Sequence, residues 1–306
     1  MRLTFSLCRF LAKLRVEWKR WSGHDLEVTV RPLVRSDFGF ALDLASREHW
    51  DYDLIDLERL FRLFPEGCLV AEHEGVRAGW VLVSTYESLA WIGSLVVQDR
   101  LRGKGIGAAL LDHALGYVRR LGVKTVGLYS YSESVGFYQR MGFKRDHDFE
   151  RVEGEGGKRS PRGSMQQPRY IDEVVELDRK YFCGNRKLLL EALREEFPDL
   201  LITRGEKNTL GYIAGKSFSD GTAEIGPWVC NLTDIEAAEE LFASELGQLF
   251  SRRVSLTIPS QNPEAHRIIR KFGFRIKQTV ARMFAGDPAD LPRIGGIYAA
   301  GGLDVG

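Results

Sequence analysis

The stretch LVVQDRLRGKGIGAALL, residues 95–111, decides how the rest of this 306-residue chain is read. Strand-like apolar residues end at Val97, three glycines crowd into residues 102–107, and helix formers take over from Ile106. A glycine-rich turn entering a helix leaves amides unpaired at the positive end of the helix dipole, where a phosphate or pyrophosphate is at home. Arg102 offers a charge-assisted contact to such an anion. The spacing argues against two familiar nucleotide loops. No Gly-Lys-Ser or Gly-Lys-Thr follows, and Gly103, Gly105 and Ala108 miss the G-x-G-x-x-G fingerprint.

Outward from the loop the pattern is mixed α and β. Upstream, LEVTVRP (26–32) alternates as a strand, with Ser36 or Asp37 placed to cap a helix to about Ser46, and DLIDLERLFRLF (53–64) has helical period. CLVAEH (68–73), AGWVLVSTY (78–86) and LAWIGSLVV (89–97) then read as an antiparallel meander leading into the loop. Downstream come a helix over 106–122, a buried strand KTVGLYS (124–130), a short helix ESVGFYQRM (133–141) and a final strand. Residues 151–169 are Gly, Ser, Pro and charge without apolar period, which predicts a linker or long surface hairpin. Beyond it the pattern returns. GW (79, 80) and WIGSLVV (91–97) parallel GY (211, 212) and EIGPWVC (224–230), while YSESVGFYQRMGF (131–143) aligns without a gap on NPEAHRIIRKFGF (262–274). One fold is repeated in tandem.

With Arg102, Gly105 and Gly107 at R-x-x-G-x-G spacing, and Tyr138 and Met141-Gly-Phe143 downstream, residues 26–150 resemble the GNAT N-acetyltransferase superfamily; 170–285 resemble it more weakly. The resemblance implies an α/β fold of two tandem GNAT-like domains, each a mixed, mostly antiparallel sheet flanked by helices. The expected parts are an extension 1–25, a catalytic acetyl-CoA-binding domain 26–150, a linker 151–169 and a second domain 170–306 without the pyrophosphate loop. It further implies that the amides of Arg102, Gly103, Lys104, Gly105, Ile106, Gly107 and Ala108 grip the pyrophosphate of acetyl-CoA. The strand end at Leu95, Val96 and Val97 would pair with the pantetheine arm. Tyr138 would protonate the departing thiolate, since a phenol with an ordinary pKa near 10 keeps its proton at neutral pH. The implied activity is acetyl transfer by direct attack of an amine, with acetyl-CoA as acyl donor; the rival reading is an acyl-CoA sensor or scaffold without turnover. One departure concerns the family's frequent Asn at the start of the short helix, which is Tyr131 here.

A protonated amine must lose a proton before it attacks, which calls for a carboxylate or His. EHWDYD (48–53) gathers Glu48, His49, Asp51 and Asp53, and Glu87 sits at a turn between central strands, so Glu48, Asp51 and Glu87 are the candidate catalytic acids or bases. Their charge suits a cationic small-molecule or peptide amine. The second repeat keeps Gly273-Phe274 and has Asn262, but Thr233 or Asp234 caps its helix where the glycine loop should be, and Ile269 replaces Tyr138. Trp228, Asn231 and Tyr298 are read as core or cleft-lining residues.

Composition bounds the remainder. Forty-three basic and 42 acidic residues give a formal charge of +1, which speaks against a general polyanion binder such as a nucleic-acid protein. Four scattered cysteines with no C-x-x-C spacing indicate neither a metal site nor a disulfide framework, and a cytoplasmic home is expected. Leu3, Leu7, Phe10, Leu11, Leu14, Trp18 and Trp21 recur at helical steps among basic residues, so residues 1–22 read as a basic amphipathic helix that rests on a membrane, a partner or its own protein.

Overall fold

A computed structural model describes residues 28–158, 166–205, 209–232, 234–286 and 291–306. The amphipathic helix of residues 1–22 and Thr233 lie outside the described residues. The first half runs β1 (Val28–Pro32), α1 (Phe38–Arg47), α2 (Leu54–Leu63), β2 (Cys68–His73), β3 (Val76–Tyr86), β4 (Leu89–Val97), α3 (Ile106–Arg120), β5 (Thr125–Tyr131), α4 (Val135–Arg140) and β6 (Lys144–Glu155). The second runs α5 (Ile171–Phe182), α6 (Lys187–Glu196), β7 (Leu201–Arg204), β8 (Gly211–Ser217), β9 (Thr222–Cys230), α7 (Ile235–Gln248), β10 (Arg253–Pro259), α8 (Pro263–Lys271), β11 (Arg275–Gly286) and β12 (Ile297–Ala299). The expected element order is present in the first half, and the second repeats it from the paired helices onward, with β12 added.

The two halves share one 12-stranded sheet, ordered β1-β2-β3-β4-β5-β11-β6-β10-β9-β8-β7, with β12 joined to β9. Each half's last long strand lies in the other half. β11 pairs antiparallel with β5, Val280 opposite Tyr131 and Gly286 opposite Thr125. β6 pairs with β10, from Arg253 opposite Glu155 to Pro259 opposite Phe149. The expected linker thus begins too early: residues 151–155 are strand paired with β10, and residues 151–153 are held from the other side by β11 as well. Glu, Arg and Gly read as loop in isolation, but here their backbone groups are paired and Val152 is fully buried.

Both faces of the sheet are covered, so β3 and β4 are near-continuous apolar runs instead of clean alternations. One face, called the front, carries α1, α2, α5 and α6 over Trp80, Leu82, Tyr86, Trp91, Tyr212 and Val229. On the back, α3 and α4 cover the first half through Leu110, Leu111, Tyr138 and Phe143, and α7 and α8 cover the second through Phe242 and Ile268. Asp53 caps α2, accepting from the Leu54 amide, and Asp56 accepts from the Asp53 amide at 3.2 Å, a reciprocal arrangement that fixes the start of α2.

Candidate active site

β4 and β5 run parallel and pair only from Leu89 to Ile92, opposite Thr125 to Leu128. Beyond that point they part: β5 continues on β11, while Gly93–Val97 stay on β3. A bulge helps turn β4 away, for Leu82 faces Gly93 while Trp80 faces Val96, and Ser94 between them takes a left-handed φ of 52°. Among the described residues, no strand pairs with the β5-facing edge of β4 from Gly93 to Val97. This unpaired edge is the one Leu95, Val96 and Val97 were expected to offer.

The glycine loop closes the far end of that opening. Gly103 and Gly105 have φ of 77° and 79°, conformations open to glycine, and Gly105 is the N-cap of α3. The first helical bond of the loop runs from the Ala109 amide to the Gly105 carbonyl at 3.0 Å, so the amides of Ile106, Gly107 and Ala108 have no protein acceptor among the described residues. A Cβ built on Gly107 would lie 3.8 Å from each of Leu95, Val97 and Phe137, which places the helix start, the strand edge and α4 around one opening. Arg102 does not reach freely outward. Its Nε donates to the Val97 carbonyl at 3.1 Å, and the guanidinium pairs with Glu48 and, at 2.9 Å, Asp99. Lys104 is exposed.

Tyr138 lies on α4, buried between Phe137 and Phe143 with ring centroids 5.0 and 5.9 Å away. Burial raises its phenol above the ordinary value. It therefore remains a proton donor.

The structure disperses the three candidate carboxylates. Glu48 is tied to Arg102 at the loop. Glu87 lies at the opposite end of β4 from the loop, ion-paired with Arg179 and accepting from Asn185 Nδ2 at 3.0 Å, so it links the halves and stands away from the opening. Asp51 alone enters the front cleft, where Arg151 Nη2 reaches it at 2.5 Å; burial raises its carboxyl against the pull of Arg151.

Around Asp51 lies a charged cluster contributed by both halves. Lys216 Nζ is 2.8 Å from Glu224 and 3.6 Å from Asp56. Arg59 pairs with Asp56 and, at 2.6 Å, with Glu196, which Arg62 also holds at 3.0 Å. Burial opposes the Lys216 charge, yet Asp56 and Glu224 outweigh it and hold its pKa above the ordinary value. Tyr131 borders the same cluster; burial raises its phenol, and Arg151, Glu133, Glu224 and Asp51 are the charges it feels. Asp304 also faces it from a strap, residues 300–306. A Cβ on Gly93 would fall 2.8 Å from the Asp304 carbonyl carbon, so strap and β4 are in direct contact. Sequence reading missed Asp304 and Glu224 because their partners lie far away along the chain. A cavity of about 490 Å³ between α2 and Glu196, lined by Arg35, Ile55, Glu58 and Phe61, shares Arg59 and Glu196 with this cluster and none of its residues with the loop.

The second half differs at each matching place. β9 and β10 also part after Ile225 and Leu256, but β12 fills the gap: Ile297 pairs with Val229, and the Ala300 amide donates to Thr257 O at 2.9 Å. Asn262 Nδ2 holds the insert through Ile297 O at 2.9 Å. Asp234, not a glycine loop, caps α7 by accepting from the Ala237 amide at 3.0 Å. A carboxylate there occupies donors and repels an anion. Trp228 and Tyr298 are core residues with ring centroids 4.8 Å apart, and Asn231 accepts from Lys180 at 3.1 Å.

Comparison with known proteins agrees with this division. Residues 30–143 match the acetyltransferase (GNAT) family and residues 174–299 an acetyltransferase (GNAT) domain. An uncharacterized N-acetyltransferase of Methanocaldococcus jannaschii is 27% identical over 136 residues, which cover 38% of this chain and 60% of that protein's length. The crystal structure of a candidate acetyltransferase from Pyrococcus horikoshii superposes with a TM-score of 0.78 at 22% identity, over 94% of this chain and all (100%) of that one. A GCN5-related N-acetyltransferase from Sphaerobacter thermophilus gives 0.62 at 17% identity, covering 87% and 97%. A tandem GNAT protein from the clavulanic acid biosynthesis pathway gives 0.59 at 16%, covering 85% and 98%.

Proposed function

Because this chain belongs to the GNAT superfamily of acetyltransferases and carries two GNAT domains in tandem, we propose that its first half alone binds acetyl-CoA and transfers the acetyl group directly to an amine. One contrast carries this reading. In the first half three unpaired helix amides, a strand edge without a strand partner and α4, the helix that carries Tyr138, meet around one opening, whereas the second half caps its helix with Asp234 and fills its gap with β12.

The residues fit the cofactor's parts. The amides of Ile106, Gly107 and Ala108 meet the pyrophosphate at the positive helix end. The edge from Gly93 to Val97 pairs with the pantetheine amides as a further strand would. Arg102, fastened to Val97 O and Glu48, stiffens the loop and places its charge beside the phosphates. When bound, acetyl-CoA supplies an activated acyl carbon and a thiolate leaving group. Tyr138 gives its proton to that thiolate, and its buried phenol is neutral at physiological pH. The balance is RNH3+ + CH3CO–SCoA → CH3CO–NHR + HSCoA + H+. No enzyme nucleophile is required, because the amine itself attacks.

Calorimetric titration with acetyl-CoA, followed by thiol release against amines, tests the reading. The expected result is one acetyl-CoA per chain and amine-dependent release of thiol. Two sites per chain would contradict the closed second half; binding with no release by any amine would favour a sensor.

A further inference from the structure

We propose that Asp304, delivered by the strap of the second half to the head of the open β4 edge, takes the proton from a primary ammonium acceptor held between the two halves. This deepens the acetyl-transfer reading and rests on it.

Charge counting isolates this residue. In the front cleft Asp51 is paired with Arg151, Asp56 with Arg59, and Glu224 with Lys216. Glu196 at the rim is matched by Arg62. Asp304 is left over: among the described residues it has neither an ion pair within 4.0 Å nor a side-chain hydrogen bond. It feels Lys216, Glu224, Asp56 and Arg59, and burial is the largest influence on it, raising its carboxyl above the ordinary value. Asp304 is half-buried, and a carboxylate partly withdrawn from water without a counter-charge is costly; such groups gather where a cation or a proton is to be received.

Among the described residues, two enclosed polar atoms on the Tyr52 side of the cluster lack a partner. The Tyr52 hydroxyl, which also feels Asp304 and Asp56, and Nε1 of Trp80, on a side chain 0% exposed, are enclosed without a hydrogen bond. Their rings are 5.9 Å apart. Carboxylate, phenol and indole together present one charged acceptor and two polar groups to a small ammonium ion.

The strap is held so that Asp304 stays put. Tyr86 Oη donates to Val305 O at 3.0 Å, and Trp91 Nε1 to Leu303 O at 3.3 Å, both from the first half. From the second half the Arg186 guanidinium donates to Gly306 O while Asp178 holds it at 2.5 Å, and Phe182 lies 3.8 Å beneath. Gly93 is the only residue type that lets the strap this close to β4, since any side chain would strike Asp304 backbone. At Gly93 the β4–β5 pairing has just ended. The thioester end of the pantetheine arm arrives there, because the pyrophosphate sits at the opposite end of the edge.

In the reaction, the ammonium gives one proton to an Asp304 carboxylate oxygen, which passes it to solvent. The freed nitrogen lone pair forms the N–C bond at the thioester carbonyl carbon, and the C–S bond breaks with its electrons on sulfur. Sulfur takes the Tyr138 proton, and Tyr138 recovers one from solvent, into which the second nitrogen proton is lost.

Two stable conjugates test the assignment without knowledge of the natural acceptor: S-(2-aminoethyl)-coenzyme A, a cation beside the sulfur, and S-propyl-coenzyme A, its neutral counterpart. Calorimetry at pH 7.5 on the full chain should show the aminoethyl conjugate binding at least about tenfold tighter (about 1.4 kcal/mol). Asp304→Asn should erase the preference, Asp304→Glu should keep it, and both should bind coenzyme A itself as wild type does. If Asp304→Asn fails to fold, the wild-type preference should still fade as pH falls and Asp304 takes its own proton, with Asp56, Arg59, Lys216 and Glu224 as the facing charges. Equal binding of the conjugates, or a preference surviving in Asp304→Asn, overturns the assignment. Failure of coenzyme A to bind at all would instead remove the acetyl-transfer reading, and this proposal with it.

Discussion

Replacing Gly105 with Val should separate cofactor binding from folding. At φ 79° an L-residue is in left-handed backbone, which costs roughly 1–2 kcal/mol, with a β-branched side chain at the upper end. If the loop holds its shape, that strain lowers the melting temperature by about 4–8 °C, on the scale of roughly 2–4 °C per kcal/mol for chains of this order. If the loop relaxes, the amides of Ile106, Gly107 and Ala108 turn from the anion. Losing two charge-assisted bonds at about 1.5–3 kcal/mol each weakens acetyl-CoA binding by roughly 10²–10⁴-fold. Gly122→Ala is the matched control. It has φ 75° with nothing within 4 Å of the new Cβ, and it lies beyond the other end of α3, so it carries the strain but touches no ligand group. Calorimetry and thermal melts on both variants read the two effects. Should Gly105→Val fold and lose no more affinity than Gly122→Ala, the pyrophosphate assignment is wrong.

Tyr138→Phe should lower the turnover number by about 10²–10⁴-fold while acetyl-CoA affinity is unchanged, as steady-state kinetics and calorimetry would show; undiminished turnover would remove its role as acid. For Asp304 the sign of the linkage is unusual. Its folded pKa is raised above 3.8, so its contribution to stability is full below 3.8 and is lost as pH rises through the folded value. Asp304→Asn should therefore be at least as stable as wild type at neutral pH, with the difference vanishing below that range, and a melt series across pH would reveal the reverse. Gly127→Ala on β5 sets a Cβ 2.6 Å from Phe284 Cε1 of the exchanged strand and from Trp91 Cε3, and should cost about 1–3 kcal/mol in denaturant unfolding; no loss would show that β11 yields readily there.

The proposed anion site was legible because it is local. Residues 102–108 carry their own turn conformation, their own orphan amides and their own helix, and no distant residue is needed to recognise them. The same holds for β2 and β4, whose apolar runs ended where the strands end, and for Asp53 and Asp234, whose side chains bond amides within three residues. The gapless match of residues 131–143 to 262–274 likewise announced the tandem fold, because helix faces and the glycine after each helix are fixed by short-range geometry.

The placing of each candidate carboxylate was not local. Glu48, Asp51 and Glu87 have similar credentials as letters, and only packing sent Glu48 to Arg102, Glu87 to Arg179 and Asp51 to the cleft. Asp304 had no credential at all until the strap brought it onto Gly93, and β12 could not be read as the filler of the second gap from three residues of ordinary composition. The exchange of β6 and β11 was hidden for the same reason, since equivalent strands satisfy equivalent edges in either half. The sequence by itself determined the fold of each repeat and the glycine-rich helix start at which an anion is proposed to bind, through turns, caps and periodicity that act over a few residues. The tertiary structure decided which charges are paired, which gap stays open and which side chain is left without a counter-ion, because burial and charge depend on neighbours that only the assembled sheet brings together.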